Sequence, residues 1–169
     1  MKFKINWDIP EKGWEKAVEV RQKEPPGSEY DKACGPHYDL LYGEIQVSYE
    51  LNSLFPSPQN LSLADLAYGL YYGVVREGFK GAQEGSAIRF QQADDAFEIS
   101  FKKSRGMVLI ISNHPSSKEL EVPEDDFFHG VRQFLITFTQ ELMRRAPELL
   151  DWESLSVLRE CLDSTQFEF

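Results

Sequence analysis

Residues 86–113 read SAIRFQQADDAFEISFKKSRGMVLIISN, and this stretch decides the fold class. It divides into three runs, Ser86 to Gln91, Ala96 to Lys103 and Gly106 to Asn113, separated by the turn residues Ala93-Asp94-Asp95 and Ser104-Arg105-Gly106. Links this short leave no room for a crossover helix, so the three strands are predicted to be antiparallel neighbours. In the second run Phe97, Ile99 and Phe101 alternate with polar residues and take the core face. The third run abandons alternation. Met107 to Ile111 is apolar at every position, as in a central strand covered on both faces or one whose outer face meets a partner. Coverage on both faces is the simpler expectation.

Downstream, Glu119 to Val122 forms a short edge strand ahead of Pro123. Over Glu124 to Arg145, the residues Phe127, Val131, Phe134, Leu135, Phe138 and Leu142 fall on one helical stripe. Acids open this helix and Arg144-Arg145 close it, matching the signs of the helix dipole at both ends. After Pro147 a shorter amphipathic helix is predicted over Asp151 to Leu162, with Trp152, Leu155, Leu158 and Leu162 inward.

Upstream, Leu61-Ser62-Leu63-Ala64-Asp65 carries a serine cap with an acid three residues later, which starts a helix. Its stripe runs through Leu63, Leu66, Ala67, Leu70, Tyr71, Val74 and Val75 until Gly78 and Gly81 stop it. In residues 38–51 the apolar positions change parity: Tyr38, Leu40 and Tyr42 are even, while Ile45, Val47, Tyr49 and Leu51 are odd. A one-residue bulge at Gly43 would keep both sets on one core face. Phe3, Ile5, Trp7 and Ile9 alternate as a strand, and Trp14, Ala17 and Val18 suggest a short helix after Pro10, where a second strand would also fit. Residues 25–37 read as an irregular loop. The order predicts an α+β protein, with an antiparallel sheet of about five strands and two main helices packed on one face, in a single domain spanning residues 1–169.

The charge is uneven. The chain of 169 residues has a formal net charge of −10, and residues 118–169 hold twelve acids against five bases. No cluster of Lys and Arg stands ready to displace counterions from a phosphate backbone or to bind an anionic membrane surface, so neither nucleic acid nor membrane is an expected partner. No apolar run approaches membrane-spanning length and the N-terminal residues lack a signal-peptide core, which predicts a cytoplasmic protein.

Two cysteines, Cys34 and Cys161, suit free thiols better than a disulfide framework. Cys34-Gly35-Pro36-His37 with Asp39 is the closest grouping of soft ligands, but it offers half a metal site and reads as a turn with a packed Cys and a solvated His. His129, four residues after Asp125, reads as one half of a surface ion pair, and His114, in a Ser-rich loop before Pro115, as solvated. No triad motif, phosphate loop or cofactor fingerprint is present, so catalytic residues, metal and cofactors are all expected to be none.

The sharper expectation is protein binding. Glu119, Glu121, Glu124, Asp125 and Asp126 place five acids within eight residues, a pattern that would speed encounter with a basic protein partner. Tyr68 and Tyr72 lie one turn apart on the first main helix, Tyr72 opposite the apolar stripe, as interface tyrosines do. The alternative is a small-ligand domain or structural subunit using the cleft between helix and sheet.

The strand opening Tyr42-Gly43-Glu44-Ile45, the helix start Asn60-Leu61-Ser62-Leu63-Ala64-Asp65-Leu66, the meander and the acidic helical C-terminal part resemble small acidic bacterial immunity proteins of polymorphic toxin systems. The resemblance covers residues 38–145 and lies in the architecture. It implies a cytosolic inhibitor that neutralises a cognate toxin by binding it, and it assigns no role to any individual residue.

Overall fold

A computed structural model describes residues 2–33, 40–92 and 97–163. The fold is α+β with antiparallel sheets, and its strands divide into two sheets of four in place of one of about five. The first sheet is built on β2 (Tyr42–Tyr49), flanked on one side by β1 (Phe3–Asp8) and on the other, at its two ends, by β3 (Asn52–Ser53) and β4 (Gln59–Ser62). The second is the meander β5 (Ala87–Gln91), β6 (Glu98–Ser104), β7 (Met107–Ser112) and β8 (Leu120–Pro123), in that spatial order. The β6–β7 turn places Arg105 at φ 55° and Gly106 at φ 75°, the two left-handed residues that let a two-residue hairpin follow the twist of its strands.

The long helix α4 (Glu124–Arg145) is the element both sheets share. Phe127 on α4 lies 5.6 Å from Phe3 of β1 and 5.5 Å from Phe101 of β6, ring centre to ring centre. Further along, Phe138 meets Trp7 edge-on at 5.4 Å, so the helix runs along β1 in the same direction as the strand. Gly130 permits this approach, since a Cβ there would overlap the Phe3 ring. The first main helix, α3 (Leu63–Leu70), begins at Ser62, whose hydroxyl accepts from the Asp65 N–H at 3.2 Å as the capping pattern requires. It continues as a π-helical segment over Tyr71–Arg76 and ends before Gly78 at φ 68°. Gly73 lies against Ile88 of β5, so α3 covers the inner side of that strand.

Several expectations change. The register of β2 is regular through Gly43. The parity break sits earlier, at Leu41, which takes φ 56° and turns both Leu40 and Leu41 inward while Tyr42 faces out. Gly43 is small for a different reason: a Cβ would overlap the Asp8 carbonyl oxygen. Leu51, expected inward, is fully exposed at the β2–β3 turn. The helix after Pro10 forms as α1 (Glu11–Lys23), with Trp14 and Ala17 buried. Within the expected loop lies a short helix, α2 (Glu29–Ala33). The expected C-terminal helix is broken into a 3-10 turn (Pro147–Asp151), one turn of α-helix, α5 (Glu153–Ser156), and a further 3-10 turn (Val157–Leu162).

These C-terminal turns are held by the N-terminal helices. Asp31, 3% exposed, accepts from the backbone N–H groups of Gly27 at 3.0 Å, Glu153 at 3.0 Å and Ser154 at 3.2 Å. Burial by itself would raise its pKa, but these backbone donors outweigh it and hold the carboxyl below the usual value. Beside it, Trp152 donates from Nε1 to the Glu24 carbonyl at 2.8 Å and packs against Tyr30, and Arg21 donates from Nε to the Glu148 carbonyl at 3.0 Å.

Candidate functional site

The registers of the meander assign every residue of β5–β8 to one of two faces. Phe90, Ile99, Phe101, Val108, Ile110, Leu120 and Val122 point inward and are buried. Lys103 points inward with them and is 6% exposed; its ammonium donates to the carbonyls of Lys80 at 2.7 Å and Ala82 at 3.1 Å and lies 3.5 Å from Glu124. A charge so placed is held by its partners and fastens the 3-10 turn at Phe79–Gly81 to the start of α4.

The outer face is composed differently. Ladder pairs put Lys102 opposite Leu109 and Leu109 opposite Glu121, one row across three strands. The next rows pair Ser100 with Ile111, and Ser104 with Met107 and Pro123. Met107, Leu109 and Ile111 therefore line up along the middle of the outward surface, each half-buried, and among the described residues the elements in repeated contact with β7 are its neighbours β6 and β8 and, on the inner face, α4. The stripe covered on both faces in the simpler sequence reading is thus covered on one. Ser104, Arg105, Met107, Leu109 and Glu121 line a groove of about 300 Å³ on this face. Arg89 and Lys102 flank the stripe on the β5–β6 side, and Glu121 with Glu119 flanks it on the β8 side. Among the described residues none of these four is in an ion pair, so all four charges face solvent.

The five acids of the run are divided between solvent and internal partners. Glu119 and Glu121 are exposed beside the apolar stripe, and Asp125 is exposed on the first turn of α4. Glu124 is engaged with Lys103, and Asp126 accepts from the Tyr49 hydroxyl at 3.4 Å. Tyr68 and Tyr72 lie ring against ring at 4.4 Å, tilted by 42°, on α3 and its π-helical continuation, with Tyr72 36% exposed. Because α3 lies against β5 and the acids lie on β8, the tyrosines and acids occupy opposite margins of the second sheet. Arg89, Lys102, Met107, Leu109 and Ile111 were absent from the sequence-derived candidates; the parity-free run Met107 to Ile111 was the signal that pointed to them.

The remaining polar groups are structural. Tyr71 donates to Glu160, and Arg76 donates from Nε to the Tyr71 hydroxyl at 3.0 Å and from Nη2 to Glu160 at 2.7 Å, tying the π-helical segment to the last 3-10 turn. Burial and the Glu160 carboxylate push the Tyr71 phenol up to about 12. Burial likewise pushes the Cys161 thiol up to about 12, which leaves it without thiolate character at neutral pH. Three buried side-chain atoms, Asp65 Oδ2, Arg132 Nε and Ser154 Oγ, have no hydrogen-bond partner among the described residues, and burial pushes the Asp65 carboxyl up to about 7.

His129 is exposed and unpaired with Asp125, while His114 packs edge-on against Phe55 at 5.8 Å and accepts at Nδ1 from the Ser116 N–H, so it is half-buried instead of solvated. Cys34, His37 and Asp39 lie outside the described residues, and among those described no group of three or more His, Cys, Asp or Glu could hold a metal ion. No helix among the described residues is long and apolar enough to cross a membrane. Where α4 meets β1 and β6 the space is filled by Phe3, Phe101, Phe127 and Phe138, each at most 1% exposed, and beyond them Trp7, Asp8, Trp14, Thr137, Gln140 and Arg145 line a depression of about 380 Å³ between the end of β1 and the second half of α4. No protein-family model, curated protein or solved structure matches the chain.

Proposed function

We propose that this chain is a non-catalytic protein-binding module that docks through the outer face of the β5–β8 sheet. The observation that carries the reading is the row Met107, Leu109, Ile111, lined up half-buried along the middle of the outward surface. Burying such a row against a partner gains about 25 cal/mol per Å² of apolar surface removed from water. Solvent-facing charges at both margins supply register and discrimination. Glu119 and Glu121 keep the role expected of them as acids for a basic residue on the partner, and Glu124 and Asp126 serve the fold instead. An immunity-type inhibitor that neutralises a toxin by direct binding is one form such a module takes.

Affinity capture tests this, with tagged wild type and Leu109→Lys as baits in lysate of source cells that also contain the untagged chain. A stoichiometric partner held by wild type and lost by Leu109→Lys, with unchanged circular dichroism and urea midpoint, supports the face. A partner held equally by both baits, or no partner with either, overturns it.

A further inference from the structure

Resting on that docking face, we propose that its occupant is a second copy of this chain, packed sheet to sheet about a two-fold axis that runs along β7. The face is its own complement. Rotation about an axis parallel to β7 lays β7 over the partner copy's β7 and β6 over its β8, because the sheet order reverses across the axis while the position along each strand is kept. Met107, Leu109 and Ile111 of the two copies then interdigitate about 10 Å apart, as the inner faces of a sandwich do. Lys102, Leu109 and Glu121 share one row in successive strands, so Lys102 of each copy stands over Glu121 of the other.

Two such contacts form for every one in the sequence. The perpendicular in-plane axis would set β6 on β6 and β8 on β8, placing like charges over one another, and is disfavoured for that reason. Within one copy Lys102 and Glu121 are separated by Leu109 and make no ion pair, so both arrive with their charges free. The net charge of −10 on each copy opposes approach, but at physiological ionic strength a screening length of about 8 Å leaves the facing residues in control. At about 4.8 Å per strand and 3.3 Å per residue the overlapped face spans a few hundred Å² per copy. That is below the roughly 800 Å² per partner of a standard stable interface, so the dimer is a reversible one.

Sedimentation equilibrium of the purified full chain over a wide concentration range reads the proposal. Wild type is expected to move from one copy towards two as concentration rises, and Leu109→Lys to stay at one. Lys102→Glu and Glu121→Lys are each expected to weaken association about tenfold, since the two-fold axis counts every loss twice. The double variant Lys102→Glu with Glu121→Lys is expected to regain wild-type association, because each contact is remade with its signs exchanged. Glu121→Lys is the sharpest arm. It lowers the net negative charge, so stronger association in this variant would show that overall repulsion governs and would overturn the pairing. A wild type that remains a single copy throughout also overturns it, as does a Leu109→Lys variant that dimerises like wild type. The docking face is judged separately by the capture experiment: a different protein lost from the Leu109→Lys bait keeps the face and removes the second copy, whereas one retained removes both.

Discussion

The two sheets obey the same rule on their inner faces and part company on their outer ones. The outward row of the first sheet consists of Lys4, Asn6 and Asp8 on β1, paired with Ser48, Gln46 and Glu44 on β2, and Asn60 on β4 beside Glu44. These are polar, as a half-buried antiparallel sheet facing water requires, and Tyr42 at the start of β2 adds an aromatic at the end of the row. The second sheet has the same geometry and the same kind of inner core, yet puts three large apolar side chains in the middle of its outward face. Folding explains the first arrangement completely. It does not explain the second, because Met107, Leu109 and Ile111 gain little from the fold beyond contact with their strand neighbours; that excess is what assigns the surface to binding.

The comparison breaks most easily on energetics. Phe101→Ala, on the inner face of β6, is expected to cost about 3–5 kcal/mol in urea unfolding, since its ring is 1% exposed and packed on Phe127. Leu109→Ala, on the outer face of the neighbouring strand, is expected to cost at most ~1 kcal/mol in the same assay on the dilute protein. Equal losses would show that the outer face is covered in the folded chain and would end the contrast. Asp31→Ala comes next, at about 3 kcal/mol, because it leaves the N–H groups of Gly27, Glu153 and Ser154 without their acceptor.

The smallest effect is a pH dependence. In the folded chain the Asp65 carboxyl titrates near 7, whereas a free aspartate titrates near 3.9, so between these values the folded state binds the extra proton and stability falls as pH rises. Asp65→Asn is therefore expected to raise Tm by about 2–4 °C above pH 7, with the difference closing below pH 4. A gap that stays constant across a pH series of thermal scans would remove Asp65 as its origin.

Much of the fold was legible because the periodicities were long and unambiguous. The stripe of α4, the serine cap of α3 and the alternation of β6 each satisfied a local rule that packing had no reason to override. The grouping of strands into two sheets was hidden, since it depends on both sheets meeting one helix through Phe127, a contact between residues far apart in the chain. Leu41 misled for a related reason. A left-handed leucine carries no composition signal, so the parity change it causes was assigned to the nearby glycine. The docking face was half legible: an all-apolar strand was visible, but whether a second layer covers it is a property of the assembled molecule. The acidic run was legible as charge, but the internal contacts of Glu124 and Asp126 were not, because Lys103 and Tyr49, which engage them, come from other strands.

The clasp between the N-terminal helices and the C-terminal turns bears on how the chain matures during synthesis. Asp31, Glu24 and Arg21 wait for partners that lie 122 to 128 residues later. A chain emerging from a ribosome can assemble the meander from neighbours as they appear, but the clasp closes only when residues 148–154 have been released. Until that segment arrives Asp31 lacks the N–H donors of Glu153 and Ser154 and the Glu24 carbonyl lacks the Trp152 indole, and a nascent chain stalled after α4 is left open there for proteases and chaperones.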